Sequence, residues 1–111
     1  MHEYSLVEEL LARVEQIARE KGATSVRSVQ IRLGELSGVE PTLLRTAYET
    51  FRERTLCANA ELTLDLAPAV WACPRCERRF APGEILRCCE VPARLSSGDE
   101  LMLQRVELDV P

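Results

Sequence analysis

Four of the five cysteines in this 111-residue chain fall between positions 73 and 89, and that cluster limits the possible folds more than any other feature. The surrounding segment, 68–99, holds only Val70, Trp71, Phe80, Ile85, Leu86, Val91 and Leu95 as large apolar residues. Fewer than about 40 residues rarely bury enough surface to fold unaided, so a bound metal is expected to supply what the missing core cannot. Cys73 and Cys76, with Pro74 and Arg75 between them, have the spacing of a zinc knuckle, in which a tight turn directs two thiolates at one ion. Cys88 and Cys89 follow at a separation that suits a returning hairpin. A structural Zn(II) at Cys73, Cys76, Cys88 and Cys89 is the expectation, with the second pair the less regular one.

The remainder reads as a conventional small domain. Ser5-Leu6-Val7-Glu8 fits a capping box, and Leu6, Val7, Leu10, Leu11, Val14, Ile17 and Ala18 then recur at helical spacing up to Gly22, which predicts a helix over roughly residues 6–20. Val29, Ile31 and Leu33 alternate with polar residues, as in a half-buried strand ending at Gly34. Pro41 suits a first helical position after the Ser37-Gly38 turn, and Leu43, Leu44, Ala47, Tyr48 and Phe51 mark one face of a second helix. Residues 61–66 and 101–110 alternate again. The expected fold is α+β: two helices packed on one face of a small three-stranded sheet, with an inserted zinc-ribbon subdomain built on a rubredoxin-like knuckle. The expected division is residues 1–67 with 100–111 for the α+β domain and 68–99 for the ribbon.

Charge and targeting signals narrow the function. A net charge of -4 with a single lysine argues against a chain whose main task is neutralising phosphates, so no nucleic-acid partner is expected. No apolar run of about 18 residues is present to cross a bilayer. The start, Met1-His2-Glu3-Tyr4, lacks a basic-then-apolar leader, which predicts a reducing cytoplasm where cysteines serve metals or catalysis. A thiol oxidoreductase would place its C-x-x-C at a helix N-terminus, whereas here the chain soon meets Pro82-Gly83. The only His is at position 2, which leaves no acid–base or nucleophile–base pair and predicts a non-enzyme. Cys57, after the second helix, reads as a partly buried small residue rather than a ligand. His2 itself can combine its imidazole with the amino-terminal amine and the following backbone nitrogens in a set suited to Ni(II) or Cu(II).

Taken together, Met1-His2-Glu3, the amphipathic helix, Leu33-Gly34-Glu35-Leu36-Ser37, Pro41, the Cys73/Cys76 knuckle and Ser97-Gly98-Asp99-Glu100-Leu101 resemble the HypA/HybF hydrogenase maturation nickel metallochaperones over essentially the whole chain. The resemblance implies a carrier that binds Ni(II) through His2 with the Met1 and Glu3 backbone nitrogens, and it makes Glu3 and Tyr4 residues that shape that site. It further implies a structural Zn(II), a partner GTPase of the HypB type and delivery to the [NiFe] hydrogenase large-subunit precursor; a homodimer stays open beside a monomer. The family's second zinc pair is also C-x-x-C, whereas Cys88 and Cys89 are adjacent here. The fourth zinc ligand is thus open between Cys89, Cys57, water and a residue of another protomer. The rival reading is a zinc-ribbon interaction module without nickel transport, supported by Arg75, Arg78, Arg79, Arg87 and Arg94 in the ribbon.

Overall fold

A computed structural model describes residues 2–80 and 84–111, the His2 side chain excepted. The first helix, α1 (His2–Glu20), is followed by strand β1 (Ser25–Gly34), helix α2 (Pro41–Phe51) with a 3₁₀ turn (Arg52–Arg54), and strand β2 (Glu61–Ala67). The last strand of the chain, β8 (Leu101–Asp109), returns to complete a three-stranded sheet in the order β2-β1-β8. β1 and β2 run parallel, which requires a crossover, and α2 supplies it. β8 is antiparallel to β1.

Period explains which face is covered. Val29, Ile31 and Leu33 of β1 and Leu62 of β2 are buried in one cluster with Val7, Leu11, Val14 and Ala18 of α1 and Leu44, Ala47 and Tyr48 of α2. Glu61, Thr63 and Asp65 on the opposite side of β2 are exposed, as one face of an open sheet should be. Two bulges adjust the phase. A register shift at Arg27 lets Val26 and Val29, three residues apart, both turn inward, and a second at Gln104 does the same for Leu103 and Val106. Strict alternation over 101–110 therefore does not hold: the inward positions are Leu103, Val106 and Leu108, while Leu101 and Met102 are exposed.

The helices differ from expectation at their starts. α1 begins at His2, four residues ahead of the predicted Leu6, so Ser5 lies inside the first turns rather than capping them. Tertiary contact draws the helix upstream. Glu3 is buried and its Oε2 accepts from the Glu40 N–H at 3.4 Å, and the Tyr4 ring meets Phe51 edge-on at 5.3 Å. Pro41 does open α2, and its cap is Glu40, whose carboxylate accepts from the Thr42 and Leu43 N–H groups at 3.1 and 2.9 Å. Those donors have no intrahelical partner and sit at the positive end of the helix. Leu44, Ala47 and Tyr48 form the buried stripe, whereas Leu43 and Phe51 are largely exposed.

Between β2 and β8 the chain builds two smaller sheets. Strand β3 (Val70–Ala72) lies between β4 (Arg79–Phe80) and β7 (Arg94–Ser97), and β5 (Arg87–Cys88) pairs with β6 (Val91–Pro92). Trp71 stands in register between Phe80 and Leu95. Cys73 and Phe80 are the only side chains buried among the described residues of this ribbon, while Ile85 is 83% exposed. The core is as thin as the composition requires, and the molecule is long, 57 × 28 × 17 Å.

Two glycines press the ribbon against the sheet. A Cβ on Gly34 would strike the backbone of Gly98 and Asp99, and one on Gly98, at φ +108°, would strike Pro68 and Ala69. Leu36 N–H donates to Gly98 O at 2.6 Å and Gly34 N–H to Glu100 O at 2.7 Å. Two carboxylates brace the contact: Glu35 accepts from the Ala69 N–H at 2.8 Å, and Glu100 accepts from the Gly98 N–H at 2.7 Å and from Arg32 Nε at 3.0 Å. The Gly98 amide first, then Arg32, pulls the Glu100 carboxyl down to about 2.

Gly34→Ala is expected to destabilise the protein by roughly 1–3 kcal/mol, because no side-chain motion relieves a backbone overlap; urea unfolding measures it. Glu100 stabilises in its ionised form. Its contribution is complete above the ordinary carboxylate range and is lost as pH falls toward about 2. The stability gap between wild type and Glu100→Gln in urea titrations is therefore expected to be widest near neutrality and to shrink steadily in acid.

Candidate metal centre

The first pair of thiols is set by a turn. Cys73 N–H donates to Arg78 O at 2.8 Å and Glu77 N–H returns to Cys73 O at 2.9 Å, closing a loop in which Glu77 takes φ 63°. That left-handed position favours glycine. The second pair sits on the β5–β6 hairpin. Cys88 is opposite Val91, so Cys89 and Glu90 form a two-residue loop, with φ 52° and 60°. Positive φ at both loop positions is what a type I′ turn demands. The adjacency of Cys88 and Cys89 is thus accommodated by left-handed backbone at the second cysteine.

These two turns bring the sulfurs of Cys73, Cys76, Cys88 and Cys89 within 4.8 Å of one another. Cys76 and Cys88 Sγ are 3.6 Å apart, and Cys88 and Cys89 Sγ 3.7 Å. A tetrahedral ion with bonds of about 2.3 Å to sulfur needs S···S edges of about 3.8 Å. Two of the six edges are close to that value and all lie within 4.8 Å, so the four thiols could close on such an ion with Cys89 as the fourth. Cys57 does not: it is fully buried, deeper than the partial burial expected of it, in the core with Tyr48 and Ala60, where burial pushes its thiol up.

The cluster's protons are unevenly held. Backbone N–H groups of Cys76, foremost, and Arg75 pull the Cys73 thiol down to about 7. The Cys89 thiol is pushed up to about 12, chiefly by its interaction with the neighbouring Cys88 thiol and then by those of Cys76 and Cys73. A metal ion replaces such thiol protons when it binds. The low Cys73 value does not indicate a redox helix, since Cys73 and Cys76 lie in a turn between β3 and β4. Two of the five ribbon arginines are engaged internally: Arg78 with Glu84 at 2.6 Å and over the Phe80 ring, and Arg87 with Glu90 O at 3.3 Å.

At the other metal candidate, Met1 and the His2 side chain lie outside the described residues, as does the Pro82-Gly83 break. The backbone from His2 onward is helical, and Glu3 holds it against the first turn of α2. Glu40 was not anticipated from sequence. Its place immediately before Pro41 was the available signal, obscured because caps are usually Ser, Thr, Asp or Asn.

The family model described as HypA, hydrogenase/urease nickel incorporation, metallochaperone, matches residues 1–108. The chain belongs to the HypA family. A hydrogenase maturation factor HypA of Shewanella oneidensis is 39% identical over 98% of this chain and 96% of its own length, and one of Aquifex aeolicus is 37% identical over 99% of both. The solution structure of the Ni metallochaperone HypA from Helicobacter pylori superposes with a TM-score of 0.75 at 29% identity, covering 98% of each chain. A second HypA solution structure gives a TM-score of 0.80 at 30% identity over 97% of this chain and 96% of that one. The family is one of metallochaperones, and among the described residues no helix is long and apolar enough to cross a membrane.

Removing metal from the four-thiol site is expected to loosen the ribbon while leaving the helical body intact. Trp71, the single tryptophan, reports the ribbon. Chelation is expected to shift its fluorescence toward that of a solvated indole with little change in far-ultraviolet circular dichroism.

Proposed function

We propose that this chain binds one Ni(II) at its amino terminus and, with a GTPase of the HypB type, delivers it to the large-subunit precursor of a [NiFe] hydrogenase in the cytoplasm. The carrying observation is the family match over residues 1–108, which includes Met1-His2-Glu3. The helix start adds a physical reason. The first four N–H groups of an α-helix have no intrahelical acceptor, so the His2 and Glu3 amide nitrogens can serve as ligands without sacrificing helical hydrogen bonds. The His2 imidazole and the Met1 amine complete the donor set, and planar or six-coordinate Ni(II) accepts such nitrogens.

Glu3 fixes the place of this terminus by its hydrogen bond to the Glu40 amide. A carrier needs a ligand set firm enough to retain its cargo and open enough to release it, which a helix end tethered through Glu3 and Tyr4 supplies. Cys73, Cys76, Cys88 and Cys89 would hold Zn(II), whose part is structural: the ion cross-links the knuckle to the β5–β6 hairpin in place of a core. The chain acts as a carrier rather than a catalyst, and residues 68–99 form a ribbon inserted into the domain made by 1–67 and 100–111.

A nickel titration of the wild type, of His2→Ala and of a variant with one glycine added before Met1 tests the site. Both variants are expected to lose more than the roughly 10–100-fold that removing an outer-shell partner costs a metal site. Equal affinity in all three would reject an amino-terminal chelate.

A further inference from the structure

The four sulfurs are held by unequal means. Cys73 is buried, and its backbone is tied at both ends of the knuckle turn by bonds to Arg78 O and from Glu77 N–H. Cys88 stands on a strand and is paired with Val91. Cys89 is exposed and occupies the first loop position of the hairpin at φ 52°, followed by Glu90 at φ 60°. Neither is a glycine, and holding an ordinary residue in the left-handed region shifts a conformational equilibrium against it by roughly tenfold. In the hairpin the cysteine itself and its successor are both so placed, whereas in the knuckle turn only Glu77, which carries no sulfur, is; relaxing the left-handed backbone therefore moves the sulfur of Cys89 and of no other ligand directly.

The chain has little with which to replace that sulfur. Cys57 is in the core of the helical body and the only histidine is at position 2. Cys76 and Cys89 are both exposed, so the side of the cluster they form is open to solvent. Resting on the reading that this site holds a zinc-type ion, we propose that Cys89 is a displaceable ligand and that the ribbon is a three-thiolate metal site whose fourth position accepts an external thiolate. An incoming thiol passes its proton to the Cys89 sulfur as its own sulfur takes that place. One metal–sulfur bond breaks and one forms, the charge is unchanged and no electron is transferred.

Two readouts test the exchange. The first uses Co(II), a spectroscopic substitute for tetrahedral Zn(II), in anaerobic thiol-free buffer with wild type, Cys89→Ser and Cys73→Ser. The wild type is expected to show a four-thiolate charge-transfer band. Cys89→Ser is expected to keep about one ion per chain with roughly a quarter of the band lost, and 2-mercaptoethanol to restore it. Cys73→Ser is expected to hold no ion. Recovery that instead follows rising Cys89→Ser concentration without added thiol, together with a doubled sedimentation mass, assigns the sulfur to a second copy rather than a free thiol. Either recovery supports an exchangeable position. The second readout needs no variant: in the zinc-loaded wild type, iodoacetamide is expected to modify Cys89 about tenfold faster than Cys76 or Cys88 with the metal retained.

Loss of the ion from Cys89→Ser as complete as from Cys73→Ser, a three-thiolate band indifferent to added thiol and protein, or equal alkylation of Cys76, Cys88 and Cys89 would each overturn the inference. Absence of any thiolate band in the wild type would instead refute the metal reading beneath it.

Discussion

Gly34 and Gly98 approach through their backbones, and both chain connections between sheet and ribbon, at Pro68-Ala69 and at Gly98-Asp99, run beside this contact. β1 ends at Gly34, β2 ends at Ala67, and β8 begins just past Gly98, so three strand ends meet where no side chain fits. Close approach removes the amides there from water, and buried polar groups need partners. Glu35 and Glu100 provide two of them from neighbouring strand ends. Leu33-Gly34-Glu35-Leu36-Ser37 and Ser97-Gly98-Asp99-Glu100-Leu101, about sixty residues apart in sequence, are thus the two halves of one joint. Their role is mechanical, setting where a ribbon with almost no core is held relative to the helical body.

The two candidate metal sites follow opposite designs. At the ribbon, four thiols close on one point, within 4.8 Å of one another. At the amino terminus, the proposed backbone donors are the unsatisfied amides of a helix start, held to the neighbouring helix by the Glu3 carboxylate and the Tyr4 ring. On the proposed reading, a resident ion and a transported one would call for that difference, since closure around a metal slows its exit. The adjacent cysteines reduce the contrast, because shortening the second pair into a two-residue loop places Cys89 in strained backbone at the solvent edge.

Much of the architecture was readable because it rests on local periodicity. The alternation in 26–33 and 61–66, the helical stripe through Val7, Leu11, Val14 and Ala18, and Pro41 as a helix start all correspond to observed elements. The cysteine spacing carried the ribbon, and the scarcity of large apolar residues near it carried the need for a cross-link. The errors came where distant contacts overrode local signals. Ser5 has the pattern of a cap, yet Glu3 and Tyr4 find partners on α2 and the helix starts ahead of it. The bulges at Arg27 and Gln104 change which side chains face inward, and no run of residues announces them.

Residue order by itself determined the helices, the three strands of the main sheet, the two cysteine pairs and the family motifs, because each depends on period or spacing along the chain. Only tertiary structure decided that Cys89 rather than Cys57 joins the other three thiols, that Glu40 meets Glu3, and that Gly34 lies on Gly98. Those are questions of distance between segments far apart in sequence. Their answers depend on how the sheet orders its strands and how tightly a two-residue hairpin can turn, and neither quantity is written in the local pattern.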